Sequence, residues 1–289
     1  MNTYETPEPI TITLELAVAD VTITASNRTD TVVEIAPTNP ASRADVAAAE
    51  QTRVEYVDGR LTVTGKSWRQ WRPWRGRESV DVHIAAPSGS HVFGNAGVAN
   101  LRCAGRVGEV RFTTAAGSAR IDDCGPAELN VVAGDIDLAY STGPVDAHAS
   151  SGSVRIGWVE GDVTVKNSNG ATSVQEVAGE LRARSANGNV AVEHAHGNVV
   201  AKTANGNVRV GRADGGTVVG ETSRGNVEVG VRGGLAAWLD LNTSFGRVDN
   251  ELDAAAAPEP GGPTIEVRAR TAFGNITIRR APAHDPADV

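Results

Sequence analysis

Two histidines one residue apart, in the string His194-Ala195-His196, are the first residues whose type and spacing suggest chemistry. Alternation along an extended segment puts both imidazoles on one side, where a metal could be shared. No cysteine or further histidine stands nearby, so no metal is expected. The second constellation runs over residues 66–77, where three of the chain's five tryptophans and five cations fall within twelve residues. Indole and guanidinium groups together suit a protein hot spot, an anionic lipid interface or single-stranded nucleic acid. They equally suit a loop whose rings cover one end of the fold while arginines stack on them. Trp68, Arg69, Trp71, Arg72, Trp74 and Arg75 are the binding candidates of this segment. Asp135, Asp137, Asp146 and Asp162 are carboxylates of the kind polysaccharide-cleaving enzymes cluster, but here they are scattered among turns and strand exteriors. Phosphate-binding loops, dinucleotide fingerprints, nucleophile elbows and paired metal-ligand motifs are absent. The expectation is a non-enzymatic protein with no catalytic residue and no cofactor.

What must position these residues is a repeat. Ser185-Ala-Asn-Gly-Asn-Val-Ala-Val192 and Thr203-Ala-Asn-Gly-Asn-Val-Arg-Val210 match Thr222-Ser-Arg-Gly-Asn-Val-Glu-Val229, Thr243-Ser-Phe-Gly-Arg-Val248 and Thr271-Ala-Phe-Gly-Asn-Ile-Thr-Ile278. The turn glycines fall at 117, 134, 152, 170, 188, 206, 225, 246 and 274, with four successive spacings of 18. A second series, from Gly125 to Gly234, runs in step with the first. Each repeat of about eighteen residues therefore holds two turns and two short strands. Such a unit cannot bury its apolar face alone, so units must stack. A hairpin meander would not keep a fixed period. The fold expected is an all-β, single-chain parallel β-solenoid, of either hand.

Stacking turns the repeat into columns. One outward column reads Asn130, His148, Lys166, Arg184, Lys202, Glu221, and the opposite sheet carries Arg120, Asp137, Arg155, Ser173, Ala191, Arg209, Glu228. The second alternates sign in part, as cross-strand pairs prefer. The first does not, which makes His148, Lys166, Arg184 and Lys202 a candidate anion-facing stripe unless Glu128 and Asp146 beside it neutralise the charge.

Residues 1–90 read as an N-terminal β-rich cap and first coils, with strands over 10–16, 20–24 and 31–35, one short Ala-rich helix over 41–51 and an Asp58-Gly59 hairpin turn. Residues 91–281 hold the solenoid repeats, interrupted near 235–239 and over 251–263, and residues 282–289 read as a disordered tail. The aromatic content of 4% and a single methionine require a core of Val, Ile, Leu, Ala and Thr. A net charge of −8 argues against a nucleic-acid footprint over the whole surface. Cys103 and Cys124 are too few for a disulfide framework or a zinc site and read as two buried reduced thiols. The opening residues have neither a basic region nor an apolar run, and no segment approaches the roughly 18 apolar residues of a membrane helix, so the expected compartment is the cytoplasm.

The string Thr/Ser-Ala/Ser-x-Gly-Asn/Asp-Val-x-Val, with an opening over residues 14–23 and a strand ending Ala86-Pro87-Ser88-Gly89, resembles the bacterial candidate-adhesin family of β-strand repeats, a family of unknown function. The likeness covers roughly residues 10–280. It implies a β-solenoid with no known catalytic residues, and its adhesin label implies an exported surface protein, whereas the opening residues lead us to expect no leader. The function expected is a scaffold or protein-interaction module that binds an unknown protein or associates with itself end to end. A carbohydrate- or envelope-binding module, using polar columns of Asn, Thr and Ser, is the alternative, and a polysaccharide-active enzyme the third reading. Neither a nucleic-acid partner nor a membrane span is expected.

Overall fold

A computed structural model describes residues 1–65, 78–252 and 264–282. The chain divides into two compact units, Met1–Ser150 and Ser151–Val289, and each is a stack of parallel strands. In the first, the strand Thr11–Ser26 pairs in parallel with His91–Arg106 on one side and with Val80–Pro87 and Arg60–Thr64 on the other. Two strands, expected over 10–16 and 20–24, are one sixteen-residue strand, because Ala17-Val18-Ala19 offers no glycine at which to turn. Val110–Ala116 and Ala119–Cys124 then lie side by side on His91–Arg106, and each later coil repeats that arrangement. The entry end is covered. Asn2–Glu5 runs antiparallel to Asp30–Pro37, which runs antiparallel to Val80–Pro87. The helix Arg43–Gln51 packs there, its first turn fastened by Ser42 Oγ accepting from the Asp45 amide at 3.3 Å.

In the second unit one row of strands is Val154–Val159, Thr172–Val177, Val190–Ala195, Val208–Ala213 and Val227–Val231. The other row is Val163–Asn169, Leu181–Asn187, Val199–Asn205 and Gly216–Arg224. Valines 163, 165, 190, 192, 199, 208 and 210, with Leu181, Ala183 and Ala201, are fully buried between the rows. The lumen is one side chain deep from each wall, which is why so few aromatic residues suffice.

The motif is structural at each position. Gly188 and Gly206 take φ of 143° and 146°, and a Cβ on either would fall on the carbonyl oxygen of the glycine one coil earlier. Thr203 Oγ1 donates to the Gly188 carbonyl at 3.0 Å, as Thr222 does to Gly206 at 2.8 Å. The asparagine after the glycine links coils, Asn207 N–H donating to Asn189 Oδ1 at 2.9 Å and Asn226 N–H to Asn207 Oδ1 at 2.8 Å. The asparagine before it makes a second ladder, Asn205 to Asn187 to Asn169, each step 2.9 Å.

Chain order and spatial order part company at the end. The motif glycines 225, 246 and 274 suggest three coils in that sequence, yet Thr264–Phe273 and Ile276–Arg280 lie directly on Gly216–Arg224 and Val227–Val231. Ala236–Phe245 and Val248–Asn250 are placed outside them.

Candidate functional site

The residues singled out from the sequence separate into three groups. Trp68, Arg69, Trp71, Arg72, Trp74 and Arg75 lie outside the described residues. Lys166, Arg184 and Lys202 are brought together, because register stacks them one coil apart, and Glu221 and then Arg270 continue the column. Lys202 Nζ is 2.7 Å from Glu221, so the exposed cations Lys166 and Arg184 carry the unbalanced charge. His148 belongs to the first unit, half-buried, with Nε2 2.6 Å from Asp146 Oδ1. The aspartates do not converge: Asp137 faces Arg120 at 3.6 Å, and Asp162 Oδ1 accepts the Glu180 amide at 2.8 Å.

Two further features are better formed. The first is the outermost coil. Ala236–Phe245 is hydrogen-bonded to Thr264–Phe273 on one side, and no other described strand pairs with it. Ala237, Leu239 and Leu241 face the lumen in register with Ile265, Val267 and Ala269, which are buried, whereas they themselves are only half-buried. Trp238 is 71% exposed and Phe245 68%, and Phe245 stacks on Phe273 at 4.9 Å between centroids. An apolar row and an unpaired edge thus stand open together among the described residues.

The second is built on one corner of the coils. Glu176, His194 and Arg212 occupy equivalent places in three successive strands. His196 and Asp214 follow in the turns, their amides donating to the carbonyls of Val177 and Ala195, both at 3.0 Å. Asp214 Oδ2 lies 3.0 Å from His194 Nε2 and 3.3 Å from His196 Nδ1, while Glu176 Oε1 lies 2.8 Å from His196 Nε2 and 3.5 Å from His194 Nδ1. The imidazole centroids are 4.1 Å apart. Burial alone would raise the Asp214 carboxyl, but hydrogen bonds from Arg212 and His194 outweigh it and hold the group below the usual carboxylate range.

The model of the Toastrack DUF4097 family matches residues 10–234. The chain belongs to that family. The parallel coils described above are thus the Toastrack β-solenoid. Similar solved structures include a candidate adhesin from Parabacteroides distasonis, 13% identical with a TM-score of 0.39, covering 96% of this chain and 95% of that one. A candidate adhesin from Bacteroides fragilis is 13% identical with a TM-score of 0.30, over 96% and 95% of the two chains. A candidate lipid-binding protein from P. distasonis is 13% identical with a TM-score of 0.32, again over 96% and 95%. No curated protein matches this chain. In this Toastrack chain the corner cluster was half legible: His194 and His196 stood out, but their carboxylates did not. The signal was the period itself, since Glu176 precedes His194 by one repeat and Asp214 follows His196 by one. The open coil was signalled only by the interruptions near 235–239 and over 251–263 and by the enlarged spacings before Gly246 and Gly274.

Proposed function

We propose that this protein is a non-enzymatic scaffold whose docking surface is the outermost coil, residues 236–250, and whose occupant is the same coil of a second copy. One observation carries the reading: among the described residues, that coil presents an unpaired edge together with an uncovered lumen row. Unpaired strand edges recruit strands, and exposed aromatic and aliphatic groups add the apolar contact. The entry end of the first unit is covered by antiparallel strands and a helix, so among the described residues it offers no open lumen row to a head-to-tail chain of copies, although Asn2–Glu5 and Arg53–Val57 are outer strands there. The association this favours is a closed pair, each copy using the same patch. The motif asparagines and threonines, groups suited to sugars, are engaged in hydrogen bonds between coils, and this favours a protein partner over a glycan. Sedimentation velocity over a wide concentration range tests the reading. A reversible monomer–dimer equilibrium supports it, and a charge set into the open row by Leu241→Lys should shift the equilibrium to monomer while leaving the circular dichroism unchanged. Monomer at every concentration would sink the proposal, and unlimited growth would sink the covered entry end.

A second reading rests on Lys166 and Arg184, adjacent exposed cations to which no described acidic side chain is paired. They suit an anionic envelope polymer. Binding to an immobilised anionic polysaccharide that is lost in Lys166→Glu/Arg184→Glu would favour it.

A further inference from the structure

With both imidazoles neutral, the corner formed by Glu176, His194, His196 and Asp214 contains more acceptor contacts than its hydrogens can serve. Two neutral imidazoles supply two N–H donors, yet four ring nitrogens each face a carboxylate oxygen, at 2.8, 3.0, 3.3 and 3.5 Å. Whichever ring nitrogens carry the protons, two lone pairs are left pointing at carboxylates. Either a second proton on each ring or a metal ion on one side of them removes the conflict, and the three-donor geometry on the Glu176 side favours the metal. We propose that Glu176 Oε1, His194 Nδ1 and His196 Nε2 bind a divalent transition-metal ion of the zinc class, with Asp214 as the outer partner that positions both histidines.

The side is chosen by the surroundings of the two carboxylates. Asp214 is engaged elsewhere: its Oδ1 accepts from Arg212 Nε at 2.8 Å, and its side chain is 13% exposed. Arg212 lies where the pairing register shifts between Val210 and Ala213, the kind of irregularity that re-aims a side chain. With its second oxygen, Asp214 can accept an N–H from each ring, from His194 Nε2 and from His196 Nδ1. Both rings then present the opposite nitrogen, unprotonated, toward Glu176. This is the carboxylate–histidine–metal relay by which outer partners fix a ligand's tautomer and raise its basicity. One donor atom from each of Glu176, His194 and His196 lies within 4.8 Å of the others, and Glu176 Oε1 is 2.8 Å from His196 Nε2 and 3.5 Å from His194 Nδ1. Ligands at about 2.0–2.2 Å from a shared ion are separated by distances of that order. Glu176 is 35% exposed and His196 39%, so the ion has an entry path and open coordination positions. Two imidazoles and one carboxylate select zinc, copper, nickel or cobalt over magnesium and calcium, which prefer all-oxygen sites. The stacked coils hold the ligands on backbone hydrogen bonds, so little ordering is left to bind the ion. The site lies on strands 172–195 and the following turn, apart from the open coil, and does not depend on how copies associate.

The test uses the full-length, tag-free protein stripped with chelator and titrated with zinc chloride by calorimetry, with cobalt as a spectroscopic probe. One equivalent should bind, and cobalt should develop the absorption of a low-symmetry nitrogen–oxygen site. His194→Ala should weaken binding on the order of 100-fold, and Glu176→Gln should do so while keeping the shape of the side chain. Asp214→Asn should weaken it by about 10- to 100-fold without abolishing it, whereas His148→Ala should change nothing. Wild-type protein that binds zinc no more tightly than His194→Ala, with both variants folded by circular dichroism, would overturn the site. Unchanged affinity in Asp214→Asn would overturn the positioning role.

Discussion

Gly188 meets two independent constraints. Its φ of 143° lies where side chains are strained, and a Cβ would collide with the Gly170 carbonyl of the coil beneath. Gly188→Ala should therefore cost about 3 kcal/mol, read from the urea midpoint. Gly233 has open space around it, and Gly233→Ala should stay within about 0.5 kcal/mol. Equal effects at both positions would show that the close approach of coils is not what demands glycine. The buried thiols offer a second test. Burial pushes Cys103 far up, and it pushes Cys124 up to about 12 despite the opposing hydrogen bond with Ser141. In the unfolded chain both ionise near pH 9, so below that pH neither state differs and the thiols have no effect on stability. As pH rises above it, the unfolded state loses protons that the folded state keeps, and stability falls by about 1.4 kcal/mol per pH unit for each thiol. Urea midpoints at pH 8 and pH 10 should therefore diverge in the wild type and converge in Cys103→Ala/Cys124→Ala. A slope unaffected by removing the thiols would refute their neutrality in the fold.

Among the elements, the 18-residue period made the strands, their facing and their stacking legible, because every coil solves the same problem with the same residues. Val199 and Ala201 point inward and Lys202 outward, as alternation requires. The neighbour relations of the last coils were not legible. A motif marks a residue set as a coil but does not say which coil it lies against, and the long connection before residue 264 lets the chain return inside its own preceding coil. The corner cluster was partly hidden for a related reason: its members are one repeat apart, so they become neighbours only once the period is applied to them. The insertion has a measurable consequence. Thr264–Phe273 is paired on both sides, with Gly216–Arg224 and Ala236–Phe245. Hydrogen exchange should therefore be slower in this strand than in Ala236–Phe245, although it lies closer to the C-terminus, where chains ordinarily fray first. Faster exchange in 264–273 would contradict the spatial order.

On the whole-molecule scale the net charge of −8 opposes the meeting of any two copies, since like-charged molecules repel until salt screens them. The Debye length falls from about 30 Å at 0.01 M to about 8 Å at physiological ionic strength. A contact made by the open coil is formed from backbone edges and the side chains of Trp238, Leu239, Leu241 and Phe245, whose mutual attraction does not depend on salt. Only the long-range repulsion does. Association through that coil should therefore strengthen as sodium chloride is raised from low to physiological concentration, with the dimer fraction rising in sedimentation velocity at fixed protein concentration. A contact made instead by the cationic column of Lys166 and Arg184 against acidic groups of a second copy would behave oppositely, since screening weakens attraction between opposite charges. The sign of the salt dependence thus assigns the surface before any variant is made: a rise places the contact on the outermost coil, and a fall moves it to the column and removes the argument for a closed pair.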